Sequence, residues 1–478
     1  MAKDQLPKQA ENFPAWYLEV VKRAGMAEHG PARGSQIIKP YGFALWEAVQ
    51  RALDDRFKAT GHENVYFPLL FPEKLLAQEA DHVEGFAPQV AVVTRGGGEE
   101  LEEPLVIRPT SEVIMWSTYK NWIQSYRDLP LLLNQWCNVV RWEMRTRLFL
   151  RTSEFLWQEG HTAHSTEGEA VQEALQMLEV YREVAEDELA IPVLTGRKSA
   201  SERFPGALET YPIEALMRDG KALQAGTSHF LGQNFAKAYD VQFLSTHGEL
   251  EYAWATSWGV SARVVGGIIM THGDDKGLRL PPRVAPVQIV IVPIYSSDEG
   301  KGGVLELAAR VNEALIGRSV RVKVDDRDQY RPGFKFAEWE LKGVPLRVEI
   351  GPRDVAAGQV TVADRINGGK KAYSAVSFID EAPALLKELQ RALFADAKAF
   401  RDANLREAAS FAELRDGLRE HGGFWTAPWC GDFQCEQKVS AETKATIRVL
   451  PLVREDPGAP CAVCGKPGVE RATWAQSY

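Results

Sequence analysis

The most informative segment of this chain is Val140-Arg141-Trp142-Glu143, followed after a loop by Arg151-Thr152-Ser153-Glu154-Phe155. It places arginines inside runs of apolar and aromatic residues, which are typical of β-strands. An arginine buried in such a run is unfavourable unless its charge is matched. An anion that binds as a ligand would match it. The segment therefore predicts strand, loop and strand around an anion-binding Arg141.

The strand that follows, Trp157-Gln158-Glu159-Gly160-His161, repeats this pattern of polar groups between aromatic ones. A second interpretation of both segments needs no ligand. In it, Arg141 pairs with Glu143 or Glu159 in an internal salt-bridge network. The residues alone leave both interpretations open.

Upstream, Arg108-Pro109-Thr110-Ser111-Glu112 lies at a predicted strand-to-helix turn. The carboxylate of Glu112 has the charge to bind an ammonium group. Threonine or serine followed by glutamate is also common at helix starts, where the hydroxyl caps the first turn. Taken alone, this segment is more simply explained as a helix cap.

Two downstream segments add candidate ligand contacts. Gln224-Ala225-Gly226-Thr227-Ser228-His229 combines directed hydrogen-bonding groups with small residues that let the backbone approach a ligand. Thr256 to Arg263, followed by Val264 to Ile269, predicts a strand, a turn and a buried helix. Arg263 would then point to where the strands end, although a simple helix-flanking charge is the alternative.

Four of the five cysteines lie near the end of the chain, in the spacings Cys430-x4-Cys435 and Cys461-x2-Cys464. Two short-range pairs are typical of a tetrahedral, structural zinc site with four cysteine ligands, and free thiols are the alternative. The fifth, Cys137, lies in a tryptophan-containing apolar run and is predicted to be a core residue.

The length and composition bound the organisation of the chain. Its 478 residues suggest about three domains. Hydrophobic residues make up 45% and charged residues 25%, as in ordinary globular proteins. The first 13 residues are polar, and apolar runs such as Val287–Tyr295 are too short to span a membrane. We therefore expect a cytoplasmic protein with no membrane partner.

Hydrophobic periodicity predicts the main elements of the first part of the chain. A helix is expected over Phe43 to Thr60, a short β run over Val65-Tyr66-Phe67, and an antiparallel sheet within residues 193–285. Thr166 and Glu169 form a possible capping box. The helix that follows is expected to bury Val171, Leu175, Leu178 and Tyr181 on one face.

The composition changes at Leu280-Pro281-Pro282-Arg283. Beyond this point strands alternate with helices, which predicts a small α/β domain with parallel strands. The net charge of the chain is −9, yet 15 lysines and arginines against 12 acidic residues lie between Arg283 and Lys371. This local excess favours RNA binding there, although it also fits ordinary fluctuation.

Taken together, these segments resemble class II aminoacyl-tRNA synthetases, and within them the prolyl-tRNA synthetases of the archaeal/eukaryotic-like type. Glu63-Asn64-Val65-Tyr66-Phe67-Pro68 is similar to motif 1, the dimer-interface segment of the class. Val140 through Arg151 is similar to motif 2, and Gly259 through Arg263 to motif 3. The segments 108–112 and 157–161 are more specific to the prolyl enzymes.

The resemblance implies an α+β catalytic domain with an antiparallel sheet over residues 1–283. An α/β anticodon-binding domain would follow over 284–395, and a small zinc-binding C-terminal domain over 396–478. It implies a homodimer that activates L-proline with ATP and Mg²⁺ and then transfers it to the terminal ribose of tRNA(Pro). Only 111 residues separate Arg151 from Arg263, too few for a bacterial-type editing domain of the usual size.

The resemblance also implies roles for individual residues. Catalysis would involve Arg141, Arg263 and Glu143. Proline would contact Thr110, Glu112, Arg141, Trp157, Glu159, His161 and His229. ATP would contact Arg141, Arg151, Thr152, Gln224, Thr227, Ser261 and Arg263. The anticodon would contact Glu340, Arg347 and Arg353, unless these are only a solvated charged face. Structural Zn²⁺ would be held by Cys430, Cys435, Cys461 and Cys464.

Two rival functions remain. One is another class IIa synthetase such as the threonyl enzyme, which would need a zinc-binding cysteine where this chain has Pro109-Thr110-Ser111. The other is an inactive synthetase-like RNA-binding protein. Such a protein would be expected to lack the phosphate-binding arginines, but both Arg141 and Arg263 are present.

Overall fold

A computed structural model describes residues 5–76, 90–295 and 300–478 of the chain. Within these ranges no helix is both long and apolar enough to cross a membrane. In the first part of the chain the described strands are β1 (Ala27–His29), β2 (Gln36–Ile38), β3 (Glu63–Asn64), β4 (Leu70–Pro72), β5 (Ala91–Gly96), β6 (Glu99–Ile107), β7 (Leu131–Val140), β8 (Glu154–His164), β9 (Val193–Thr195), β10 (Glu209–Leu216), β11 (Ala222–Gly232), β12 (Gln242–Leu244), β13 (Leu250–Tyr252) and β14 (Trp254–Ser261). The helices are α1 (Gln9–Arg23), α2 (Pro40–Ala59), α3 (Glu73–Leu76), α4 (Glu112–Trp122), α5 (Glu167–Glu183), α6 (Asn234–Ala238) and α7 (Arg263–His272).

A large sheet forms the centre of this part. Within the described residues its strand order is β3-β7-β8-β14-β11-β10-β9, and every neighbouring pair except β3–β7 is antiparallel. The antiparallel sheet predicted from the sequence is confirmed. Helices α1, α2, α5 and α7 pack on it and share one apolar core.

The alternation of side chains along β8 assigns each residue to one face of the sheet. Gln158 faces the helices, where its Oε1 accepts a 2.7 Å hydrogen bond from the Tyr181 hydroxyl. Trp157, Glu159 and His161 point the other way, into a cavity. Gly160 is opposite Trp258, and a Cβ there would lie 2.1 Å from the indole ring. The glycine thus lets the buried tryptophan cross the strand.

Three local predictions can be compared with this fold. The capping box of Thr166 and Glu169 is present at the start of α5. The prediction of a β run at Val65-Tyr66-Phe67 is wrong, because the strand lies at Glu63–Asn64. Leu175 was expected on the buried face of α5, but it is 37% exposed because Ala174, Met177 and Leu178 occupy that face.

The α/β part that follows contains strands β15 (Ile289–Pro293), β16 (Val322–Val324), β17 (Leu346–Ile350), β18 (Gln359–Asp364) and β19 (Lys370–Ser374). Its helices are α8 (Lys301–Ile316), α9 (Pro332–Leu341), α10 (Pro352–Ala357) and α11 (Ala375–Ala403). The strand order in the described residues is β16-β15-β17-β18-β19. The predicted parallel neighbours are confirmed for β16, β15 and β17. Strands β18 and β19 are antiparallel additions that the sequence pattern did not predict.

The last part contains β20 (Leu405–Glu407), β21 (Phe424–Trp429), β22 (Thr446–Val449) and β23 (Glu470–Ala475), with helices α12 (Phe411–Glu420) and α13 (Phe433–Thr443). Its strand order is β20-β21-β23-β22. An apolar core built on three tryptophans includes the buried Cys435 and Cys461. The chain thus has the three-part architecture expected from its sequence.

Candidate active site

A first cavity of about 180 Å³ opens where β8, β11 and β14 face the start of α4. It is lined by Thr110, Glu112, Arg141, Trp157, Glu159, His161, Gln224, Thr227 and His229 together with Glu202, Arg203, Phe204, Thr210, Ser257, Trp258 and Gly259. All seven residues predicted to contact the amino acid therefore lie in one cavity. Gln224 and Thr227, predicted to lie beside the nucleotide, line the same cavity.

Glu159 is the centre of a buried hydrogen-bond network and is only 2% exposed. Its carboxylate accepts hydrogen bonds from Ser111 N at 3.0 Å, from Gln135 Nε2 at 3.0 Å and from the Ser111 hydroxyl. His161 Nε2 lies 3.0 Å from its Oε2. Burial opposes ionisation, but these hydrogen bonds and the charge of His161 prevail and lower the pKa of Glu159 to about 2. Glu159 is therefore a carboxylate at neutral pH.

The turn at Thr110 and Ser111 was more simply explained as a helix cap, and that interpretation is wrong. Ser111 is at the N-cap position of α4 but makes no side-chain capping bond. Its hydroxyl donates to Glu159, and the Thr110 hydroxyl donates to Glu112. These side chains therefore hold the two carboxylates in place within the cavity.

Glu112, Glu159 and His161 form a cluster whose ligand atoms lie within 4.8 Å of one another, close enough to hold a metal ion. The imidazole argues against this use. Burial alone would lower the pKa of His161, but the carboxylates of Glu112 and Glu159 raise it. A raised pKa favours the protonated imidazole, in which the proton competes with a metal for the nitrogen lone pair. The cluster instead suits a cationic nitrogen between two carboxylates.

Arg141 lies between this cluster and the aromatic residues of β8. Its Nε donates a 2.9 Å hydrogen bond to Pro109 O, and its guanidinium lies over the rings of Phe155 and Trp157. Burial lowers the pKa of Arg141, while the charges of Glu112 and Glu159 raise it. The charge of Glu159 thus acts on this guanidinium, whereas Glu143, the other partner considered, lies 3.5 Å from Arg151.

A second cavity of about 370 Å³ lies on the other side of Arg141. It is lined by Arg141, Trp142, Glu143, Met144, Phe149, Leu150, Arg151, Thr152, Phe155, Ser261 and Arg263. Three arginines therefore converge on it. Glu143, predicted to be catalytic, lies at its rim with Oε2 3.5 Å from Arg151 Nε.

Arg263 is held in this cavity as the first residue of α7. Its Nε donates to Leu150 O at 3.0 Å, and Ser261 Oγ accepts from its backbone N at 3.3 Å. Burial and the charges of Arg151 and Arg141 lower the pKa of Arg263 to about 10. A cation at a helix N-terminus is also unfavourable for the helix dipole. Arg263 does flank the helix, as the alternative interpretation had it, and its place in the lining of this cavity also suits an anionic ligand.

Sequence reasoning missed several residues of the first cavity. Phe204 stacks on His229 with ring centroids 4.5 Å apart, and Thr210 Oγ1 lies 3.0 Å from His229 Nδ1. Burial, together with the charges of His161 and Arg141, lowers the pKa of His229 to about 3. His229 is therefore neutral at pH 7, which leaves the positive charge of the cavity on its neighbours.

Cys137 was predicted to be a core residue, and this is wrong. Its Sγ lies 3.2 Å from Glu159 Oε1 and accepts a 3.3 Å hydrogen bond from Trp157 Nε1. Burial and the charge of Glu159 raise the pKa of Cys137, so the thiol stays protonated and can donate to the carboxylate. Its position two residues after Gln135, on the same face of β7, could have indicated this contact with Glu159.

The anticodon candidates lie in a different part of the fold. A cavity of about 420 Å³ is lined by Glu340 and Arg347 together with Arg365, Lys370 and Asp274. Arg347 pairs with Glu349 at 2.9 Å and lies over the ring of Phe336. Arg353 is in α10, beyond the other end of β17, and does not line this cavity. The structure therefore brings two of the three candidates together.

The four late cysteines converge as predicted. Their Sγ atoms lie within 4.8 Å of one another. Cys430 Sγ lies 3.6 Å from both Cys435 Sγ and Cys464 Sγ, and Cys461 Sγ is 4.0 Å from Cys435 Sγ. Four thiolates around tetrahedral zinc, at about 2.3 Å each, lie about 3.8 Å apart. The donor set therefore fits zinc.

An antiparallel sheet with one arginine directly after β7, in the motif 2 segment, and another at the start of the helix that follows β14 defines the core of a class II aminoacyl-tRNA synthetase. Family models agree: residues 93–272 match the tRNA synthetase class II core domain (G, H, P, S and T). Residues 288–389 match the anticodon binding domain and residues 411–478 match the prolyl-tRNA synthetase C-terminal domain.

Full-length relatives narrow the class. The chain is 53% identical to a proline--tRNA ligase of Amoebophilus asiaticus over 99% of both chains, and 53% identical to that of Chloroflexus aggregans over 100% of both. The crystal structure of a Cryptosporidium parvum prolyl-tRNA synthetase complexed with halofuginone and AMPPNP superposes with a TM-score of 0.93. It is 40% identical, with 99% of this chain and 97% of that chain covered. This chain belongs to the prolyl-tRNA synthetase family.

Its activity follows from that membership. The chain is a proline--tRNA ligase, which attaches L-proline to tRNA(Pro) through ATP-dependent formation of prolyl-adenylate. Relatives that share its full length carry this name, so the threonyl and inactive alternatives are disfavoured.

Proposed function

We propose that the first cavity binds proline, the second binds ATP, and Arg141 joins the two substrates. The observation that carries this proposal is that Arg141 lines both cavities. A side chain in that position can contact the proline carboxylate and the α-phosphate together. This is the arrangement needed to form a mixed anhydride between them.

In the first cavity, Thr110 and Glu112 hold the ring nitrogen of proline. A cationic NH₂⁺ between Glu112 and Glu159 completes a cluster that already contains two carboxylates. Trp157, His161 and His229 shape the remaining wall. A substrate without a matching cation would leave these carboxylates poorly paired, which costs binding free energy.

In the second cavity, Arg263 binds the γ-phosphate, while Arg151, Thr152 and Ser261 contact the rest of the nucleotide. Glu143 orients Arg151 from the rim. Gln224 and Thr227 belong to the first cavity, and we place them where the ribose and the amino acid meet. Bound Mg²⁺ supplies further charge neutralisation to the phosphates.

The chemistry needs positioning and charge rather than a nucleophilic side chain. A proline carboxylate oxygen attacks the α-phosphorus, and pyrophosphate leaves. Negative charge grows on the α-phosphoryl group, where Arg141 stabilises it, and on the leaving group, where Arg263 does. In the second step the 3′-hydroxyl of the tRNA terminal ribose attacks the prolyl carbonyl and AMP leaves.

Proline-dependent ATP–pyrophosphate exchange tests this division of the site. We expect Glu112→Gln to raise the KM for proline by about 100-fold, because the variant removes a charge partner, and to leave the KM for ATP nearly unchanged. Arg263→Gln should raise the KM for ATP, leave the KM for proline nearly unchanged and lower kcat by about 100-fold. If both variants shift both KM values equally, the assignment of one substrate to each cavity is wrong.

We further propose that Cys430, Cys435, Cys461 and Cys464 hold one structural Zn²⁺. The support is the distances between their sulfur atoms, which suit tetrahedral coordination. Metal analysis should find about one zinc per chain, and Cys435→Ser should lose the metal and lower the unfolding temperature. Metal-free protein with four titratable thiols would contradict the proposal.

The tRNA partner would be read by the second part of the chain. Glu340 and Arg347 line one cavity there, and both side chains suit guanine edges. Arg353 would contact the RNA from α10. We place the domain boundaries at 283/284 and 395/396. The second falls inside α11, whose early residues pack in the α/β core and whose Phe400 packs against a small cluster that includes Phe424 and Ala475 of the last part.

We also propose an archaeal/eukaryotic-like enzyme that acts in the cytoplasm as a homodimer. The type is supported by the cysteine cluster of the C-terminal part and by the short connection from motif 2 to motif 3. The dimer is supported by Tyr66 of the motif 1 segment, which is 72% exposed, and by Trp122, which is 45% exposed and packs against Phe67 of the same segment. Such large exposed aromatic residues are typical of an interface.

A further inference from the structure

Residues 196–204 form one wall of the first cavity, through Glu202, Arg203 and Phe204. We call them the wall segment. It contains only a single short 3-10 turn, Ala200–Glu202. Little regular structure of its own therefore fixes this wall, although its position sets the shape of the cavity.

The C-terminal part of the chain holds the start of the wall segment. Arg197 and Leu450 exchange two backbone hydrogen bonds of 2.8 Å, and Arg197 donates to Glu470 at 2.6 Å. Gly196 fits this approach, because a Cβ there would lie 2.1 Å from Leu450 O. The two segments are therefore joined like neighbouring strands.

A buried charge cluster secures the same junction. Glu214 of β10 is fully buried and accepts hydrogen bonds from Lys198 at 2.9 Å and from Arg448 at 2.8 Å. Arg448 also lies 3.8 Å from Glu202 of the wall segment. Breaking a buried pair leaves an unmatched charge, so this junction resists opening.

The middle of the wall segment is held by Glu436. Its Oε2 accepts a 3.0 Å hydrogen bond from the Ser199 hydroxyl and a second from the Ser201 hydroxyl. Glu436 is 8% exposed and directly follows Cys435 in α13. The same helical turn therefore serves the cysteine cluster and the wall of the cavity.

Phe204 is the residue through which the position of the wall segment affects the cavity. It stacks on His229, and its backbone N donates to Thr210 Oγ1 at 3.1 Å. A shift of the wall segment by even a small distance would move the ring and change the cavity volume. Close packing transmits such shifts with little loss.

We propose that Glu436 is a positioning residue for proline binding, acting through Ser199 and Ser201 on the wall of the first cavity. The C-terminal part of the chain thereby sets the affinity of the catalytic part for its amino acid. This inference rests on the proposed assignment of the first cavity to proline.

The test is proline-dependent ATP–pyrophosphate exchange with the full-length chain. Glu436→Ala is expected to raise the KM for proline by about tenfold, since two hydrogen bonds to a carboxylate are lost. The kcat and the KM for ATP should change by less than about twofold. The conservative Glu436→Gln variant retains one acceptor oxygen and should restore most of the affinity.

A double-mutant cycle separates positioning from general stability. The variant with Ser199→Ala and Ser201→Ala should match Glu436→Ala, and the triple variant should be no worse than either. Glu442→Ala is the matched control, since Glu442 lies on the same helix but faces Arg415 at 4.0 Å. It should leave all constants unchanged.

Two outcomes would overturn the inference. One is an unchanged KM for proline in Glu436→Ala. The other is a lower kcat and higher KM values for both proline and ATP, together with a lower unfolding temperature. That result would indicate a structural role only. The Glu112→Gln variant distinguishes a deeper failure. If it too leaves the KM for proline unchanged, the first cavity is not the proline site.

Discussion

The two cavities that share Arg141 differ in the physical means by which they would recognise a ligand. In the first, Glu112, Glu159 and His161 are each at most 2% exposed; His161 Nε2 lies 3.0 Å from Glu159 Oε2, and Glu112 accepts a hydrogen bond from Thr110. In the second, three arginines face an open space, and Glu143 is its single carboxylate among the described residues. A small rigid substrate would meet a prebuilt network, whereas a polyanion would meet a cluster of fixed cations.

One sheet can therefore serve two substrates in different ways. The network of the first cavity is part of the folded core and contributes to stability with or without ligand. In the second, burial and then the charges of Arg151 and Arg141 lower the pKa of Arg263. The second site therefore depends more on its ligand for electrostatic balance than the first, where His161 already lies 3.0 Å from Glu159.

The largest effect is expected at the residue that both cavities share. Arg141→Ala should reduce prolyl-adenylate formation by about a thousandfold or more, because one substitution removes contacts to both substrates. Exchange kinetics measure this directly. The control is Arg182→Ala, because Arg182 pairs with Glu186 at 2.7 Å on the surface of α5. Near-normal exchange in Arg141→Ala would contradict the proposal that Arg141 contacts both substrates.

A second prediction concerns stability and pH. The folded pKa of Glu159, about 2, lies below its ordinary value, so its contribution is complete above about pH 4.5 and is lost as pH falls through 2. Glu159→Gln should therefore lower the free energy of unfolding by on the order of 3 kcal/mol at pH 7, and by less at pH ~4.

Urea unfolding at both pH values measures the difference. Arg263→Gln provides the comparison from the second cavity. It should leave stability unchanged or increase it slightly, because it relieves repulsion from Arg151 and Arg141. Equal destabilisation by the two variants would show that the cavities do not differ in this way.

The smallest predicted effect is the response to salt. Raising the ionic strength from about 0.05 M to about 0.3 M should increase the KM for ATP a few-fold, because Arg151 is half exposed and its field is screened. The KM for proline should hardly change, since its partners are buried. Parallel changes in the two constants, at fixed free Mg²⁺, would remove the distinction.

Much of the site was predictable because its residues fall on strongly patterned segments. The alternation along β8 indicated which of its residues share a face, and the cysteine spacing indicated a cluster. Contacts made across strands were not predictable. Gln135 and Cys137 reach Glu159 only because β7 and β8 pair with Gln135 opposite Glu159. No local pattern states that register.

The fold shows the same limit. Apolar runs predicted β15 and its parallel neighbours, but Lys370–Ser374 is a polar strand that exists only by pairing with β18. The wall segment gave no signal either, since its conformation depends on Leu450 and Glu436, more than 200 residues away in the chain. Tertiary contacts, and not local preferences, determine such segments.

The long helix α11 has a mechanical consequence. Its 29 residues span about 43 Å at 1.5 Å per residue, and it belongs to the packing of both the α/β part and the last part of the chain. The helix contains Pro383, yet it runs unbroken from Ala375 to Ala403 and so joins the two parts directly. A displacement of one of these parts would therefore be transmitted through the helix to the other.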